Sequence, residues 1–91
     1  MALFLIVALE ASAPDVDVAV RSKIPPEDAY QVESGKWVID VSQSTAKAVS
    51  NALGLSEDAS HLTLPVRAYF GRAKPDLWEW LAAKLAAKSN A

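Results

Sequence analysis

The sequence predicts an α+β domain, specifically a ferredoxin-like split βαβ sandwich: β-α-β-β-α-β, then one added C-terminal helix, around a four-stranded antiparallel sheet. Three observations predict it. Leu3 to Leu9 is a continuous apolar run of strand length, the pattern of a central strand with little exposure on either face. Tyr30 to Val41 reads as two strands about a Ser34-Gly35 turn. Pro65 lies within an alternating segment, which marks an edge strand because proline cannot donate to a ladder.

Strand one therefore covers Leu3 to Leu9. A helix follows from Pro14, a residue at home in a first turn, with Asp15 and Asp17 at the positive end of its dipole and Arg21 and Lys23 at the negative end. Val16, Ala19, Val20 and Ile24 line one face of that helix, although Val16, Val18 and Val20 also alternate as a strand does. Pro25-Pro26 stops the element, since neither ring carries an amide hydrogen and a residue before proline is pushed out of the helical region. In the hairpin, a two-residue turn sets Val32 opposite Trp37 and Tyr30 opposite Ile39, with all four on one buried side. Gln31, Glu33, Lys36, Val38 and Asp40 then form a largely wet side, where Glu33 and Lys36 make an exposed pair of small energetic value.

Ser42 or Ser44 is expected to cap a helix running to about Leu53, with Ala48, Val49, Ala52 and Leu53 facing inward and Gly54 as its left-handed terminator. After the polar loop Ser56 to His61, the residues Leu62, Leu64, Val66, Ala68 and Phe70 alternate with Thr63, Pro65, Arg67 and Tyr69 in the edge strand. The last helix starts at Pro75 and Asp76 and presents Leu77, Trp78, Leu81 and Leu85 as a core stripe.

The 91 residues make one domain, 1–91, which is long enough to bury roughly 60 to 70% of its unfolded surface. With 52% hydrophobic residues and no low-complexity tract, burial can offset the ordering entropy. No cysteine is present and His61 is the single histidine, which excludes thiolate metal sites, cysteine nucleophiles and histidine clusters. No cofactor is expected. Ala11-Ser12-Ala13 superficially matches a signal-peptidase site, but no basic residue precedes the apolar run and Glu10 interrupts it. The nine residues Met1 to Leu9 also fall short of the roughly 20 that a spanning helix needs, so the expected location is the cytoplasm, without membrane contact. Net charge is −2, divided between −5 for residues 1–58 and +3 for residues 59–91. That division does not indicate a broad nucleic-acid surface.

Three groups of residues invite a functional reading. Gly71, Arg72 and Lys74 lead into a helix start, an arrangement suited to an anion, although the Walker pattern is absent and Asp76 places a carboxylate on the same helix end. Glu10, at the end of the central strand, is a place where a carboxylate can hold hydrated magnesium, with Asp15 and Asp17 close in sequence. Trp78 and Trp80 lie about 200° apart around a helix, so Trp80 is left with Ala83 and Ala87 on a second apolar stripe, expected to form a homodimer contact. His61 follows Glu57 and Asp58, but nothing supplies it with a nucleophile or an orienting partner at recognisable spacing, and it reads as a surface residue.

Through Leu3 to Leu9, through Trp37-Val38-Ile39-Asp40-Val41 running into Ser44 to Leu53, and through the final edge strand, the chain resembles the small CRISPR-associated adaptation endoribonucleases and their SinR-type relatives. The resemblance covers about the first seventy residues and implies a ferredoxin-like homodimer. The nucleases carry an aspartate at the end of strand one, where this chain has Leu9 or Glu10. The resulting expectation is a non-enzymatic, dimeric interaction domain. Its alternatives are a metal-dependent endoribonuclease or RNA-binding protein, and a regulatory module that binds a small ligand.

Overall fold

The computed structural model describes residues 2–55, 59–67 and 75–89, with the backbone alone for 87–89. The elements are β1 (Ala2–Ala8), α1 (Ala13–Lys23), a 3-10 turn (Pro26–Asp28), β2 (Ala29–Glu33), β3 (Lys36–Val41), α2 (Ala46–Leu53), β4 (His61–Pro65) and α3 (Pro75–Ser89). The four strands form one antiparallel sheet in the order β2-β3-β1-β4. The apolar β1 is thus internal, and Pro65 lies on an edge strand, as the sequence predicts.

Helices pack on both faces of the sheet. On one, Phe4 and Ile6 of β1 and Trp37, Ile39 and Val41 of β3 pack against Val16 and Val20 of α1 and Val49 and Leu53 of α2. On the other, Leu3 and Val38 pack against Leu77 and Leu81 of α3, with Tyr30, Val32, Trp78 and Trp80 around them. This second core corrects the expectation of a largely wet face. Helix α3 lies on that face, and Val38 is its apolar contact in the middle of β3.

The hairpin register also differs from the expectation. Glu33 does pair with Lys36, but a bulge between Gln31 and Glu33 puts Gln31 opposite Trp37 and Tyr30 opposite Val38. One extra residue exchanges the faces of everything beyond it. Tyr30 and Val32 therefore join the α3 core, while Trp37 and Ile39 join the core beneath α1 and α2. The turn itself demands glycine twice over. Gly35 has φ of 75°, and a Cβ there would stand 2.7 Å from the Ala13 Cβ and 2.8 Å from the Ala8 Cβ.

Helix α1 ends as its prolines require, since Ile24 turns extended (φ −114°, ψ 129°) ahead of Pro25. The cap of α2 is Thr45, not Ser42 or Ser44. Thr45 itself is extended (φ −126°, ψ 153°), and its Oγ1 accepts the Ala48 amide at 3.1 Å. Gly54 closes α2 in the left-handed region, φ 70°. Asp17 departs furthest from its expected role. It is buried and does not serve the dipole of α1.

Candidate functional site

Three polar constructions hold the domain together, and each uses partners distant in sequence. The Asp17 carboxylate accepts the Gly35 amide and the Trp37 indole Nε1, both at 2.8 Å, and the Ser34 hydroxyl at 3.3 Å. It therefore ties α1 to the β2–β3 turn. Burial pushes its pKa up, but the bonds from Trp37, Gly35 and Ser34, with the charge of Arg21, outweigh that and hold it below the ordinary aspartate value. Arg21 also stacks its guanidinium 5.5 Å from the centre of the Trp37 ring.

On the opposite face, Lys84 of α3 reaches Asp28 at 2.8 Å and Asp40 at 3.4 Å, with its ammonium 5.5 Å from the Trp80 ring. The bond to Asp28 raises the lysine pKa against the effect of burial, and Asp40 adds to the rise. Beside it, the Trp80 and Tyr30 rings meet at 6.1 Å, tilted by 47°.

The third construction corrects the reading of His61. Its Nδ1 lies 2.7 Å from the Ala59 carbonyl oxygen and can only donate to it, which in the neutral ring leaves Nε2 to accept from the Ser50 hydroxyl at 3.0 Å. Ser50 in turn lies 2.8 Å from the Thr63 hydroxyl. The ring therefore has both an orienting partner and a hydroxyl neighbour, and it is half-buried. Its spacing from Ser50 has no local periodicity, because the contact exists only where α2 packs against β4.

The sequence-predicted sites come out separately. Glu10 is exposed, with φ of 54° where the chain leaves β1, and among the described residues no three or more of His, Asp and Glu gather as metal ligands. Asp17, near it in sequence, is committed to the hairpin turn. Trp80 is half-buried in the second core, Ala83 is exposed, and the side chain of Ala87 lies outside the described residues, as do Gly71, Arg72 and Lys74. Trp78 and Trp80 both reach the same core because they flank Leu77 and Leu81 from either side. Both therefore find partners on one face of the sheet.

What sequence reasoning missed is an apolar strip on the face that carries α3. The register sets Leu5 beside Leu64 and Val7 beside Leu62, and Leu9 continues the row through its amide bond to the Ser60 carbonyl. Leu62 is 48% exposed, Leu64 45% and Leu9 38%, while Leu5 and Val7 are half-buried. The buried part of the α3 core lies over Leu3 and Val38, toward the other side of the sheet. The alternation of β4 signalled apolar residues on one side but not that this side would stay open.

No protein family, curated protein or solved structure matches this chain. Among the described residues, no helix is long and apolar enough to cross a membrane.

Proposed function

We propose that this chain is a ferredoxin-like interaction domain of the cytoplasm that acts as a homodimer and makes its protein contact through the strip along β1 and β4. The order of elements and the strand order β2-β3-β1-β4 support the split βαβ reading. The observation that carries the functional reading is the exposure of Leu62 and Leu64 next to Leu9 on neighbouring strands. Single exposed leucines are ordinary on soluble domains, whereas a contiguous apolar row marks a contact surface. The stripe of Trp80, Ala83 and Ala87 is a weaker candidate, since Trp80 already stacks on Tyr30 and lies beneath Lys84.

Sedimentation velocity tests the reading. The wild-type chain is expected to run as a dimer at tens of micromolar, and the Leu62→Ser/Leu64→Ser variant as a folded monomer with an unchanged far-ultraviolet spectrum. A wild-type chain that remains monomeric at that concentration overturns the homodimer.

A further inference from the structure

Strand β4 is an edge, and the hydrogen bonds at its two ends show which of its backbone groups are unused by the sheet. The Leu9 amide donates to the Ser60 carbonyl at 2.8 Å, and the Val66 amide donates to the Leu3 carbonyl at 2.9 Å. Antiparallel pairing alternates from residue to residue, so the backbone groups of residues 60, 62, 64 and 66 point toward β1. Those of His61, Thr63 and Pro65 point away, along the edge that no other described strand pairs. Pro65 thus stands where its missing N–H takes nothing from the β1–β4 ladder.

We propose that two copies of this chain join edge to edge through β4, antiparallel about a two-fold axis at Thr63, so that the two sheets become one. The proposal rests on the homodimer reading above and specifies its geometry. At this register the amide and carbonyl of Thr63 exchange bonds with the partner's Thr63. The His61 amide donates to the partner's Pro65 carbonyl, and the symmetric bond forms in return. Only the bonds that would need a proline N–H are missing.

The side chains agree with the same axis. Leu62 falls directly opposite the partner's Leu64, and Leu64 opposite the partner's Leu62, at the closely spaced positions of an antiparallel pair. The exposed leucines cover one another on the α3 face. Charge agrees as well. Glu10 lies at the end of the strip where β4 begins and Arg67 at the end where β4 stops, and both are exposed. A two-fold axis between them brings Glu10 of each copy to the end that carries the partner's Arg67. An isologous contact requires this self-complementarity of hydrogen bonds, apolar side chains and charge together.

The test exploits a chain without cysteine. Opposed Leu62 and Leu64 positions would have Cα atoms about 4.5 Å apart, within the range of a disulfide. An equimolar mixture of Leu62→Cys and Leu64→Cys chains is expected to form a disulfide-linked dimer under mild oxidation at least about tenfold faster than either chain alone. Glu10→Arg and Arg67→Glu are each expected to raise the dimer dissociation constant by about 3- to 10-fold, and the double variant to restore it. A dimer whose cross-linking shows no preference for the mixture, or whose charge variants show no rescue, overturns the edge pairing while the homodimer stands. A monomer in all conditions overturns both.

Discussion

Asp17 illustrates how much one side chain in this domain depends on residues far along the chain. Its carboxylate receives the buried Gly35 amide and the buried Trp37 indole N–H, and it also receives Ser34 and, at 3.5 Å, Gln31. Replacing it with alanine strands a buried amide and a buried indole N–H, so Asp17→Ala is expected to cost about 1–3 kcal/mol per orphaned donor, measured by urea denaturation. The same carboxylate gives the domain an acid sensitivity. Its folded pKa lies below that of the unfolded chain, because the bonds from Trp37, Gly35 and Ser34 and the Arg21 charge overcome the opposing effect of burial. Its contribution is therefore complete above the ordinary aspartate value of about 3.9 and is lost as pH falls through the lower folded value. Asp17→Asn should show a flatter fall in stability below about pH 4 than the wild type.

Among the elements, α3 is the one whose attachment is most concentrated. Leu77 and Leu81 bury themselves over Leu3 and Val38, and Lys84 closes the far end by holding both Asp28 and Asp40. Lys84→Met keeps the stem and removes the charge, leaving two carboxylates near one another. Lys84 and Asp28 are partly exposed and Asp40 is buried, which puts the expected loss at about 1–2 kcal/mol, between the values for surface and buried pairs. The lysine pKa is raised, chiefly by the bond to Asp28. This stabilisation is therefore present below the ordinary lysine value of about 10.4 and fades as pH rises through the higher folded value. Hydrogen exchange should locate the loss: in Lys84→Met, faster exchange is expected in α3 and β2 before β1. Equal acceleration throughout the sheet would mean that α3 is not a separately anchored element.

For the whole molecule, the two faces of the sheet behave differently. The face beneath α1 and α2 is closed, with Phe4, Ile6, Ile39, Val16, Val20, Val49 and Leu53 all under 2% or at most 2% exposed. Among the described residues, α3 closes its face over Val38, Leu3, Tyr30 and Val32, and the strip toward the β4 edge stays more exposed. If a second copy completes that face, stability couples to association. Tenfold dilution is then expected to lower the Tm by about 3 to 5 °C, since each copy loses roughly half of one factor of ten in mass action. A Tm independent of concentration over the range from 1 to 100 µM would show that the folded chain does not depend on a partner copy for its thermal stability.

Much of the architecture was legible before any coordinate was known. Pro25-Pro26, Gly54, Pro65 and the apolar run in β1 act through local sterics and burial, so their consequences hold whatever surrounds them: a helix stop, a helix terminator, an edge strand and an internal strand. The hairpin register, the Thr45 cap, the burial of Asp17 and the partners of His61 were not legible in that way. The burial of Asp17 and the partners of His61 depend on contacts between segments that folding brings together, the register on one extra residue at Val32 that exchanges two faces of a strand without changing its composition, and the cap on which of several neighbouring hydroxyls meets the start of α2. The open strip has the same origin. Alternation in β4 determines that Leu62 and Leu64 share a side, but only the position of α3 across the sheet decides whether that side meets a core or solvent.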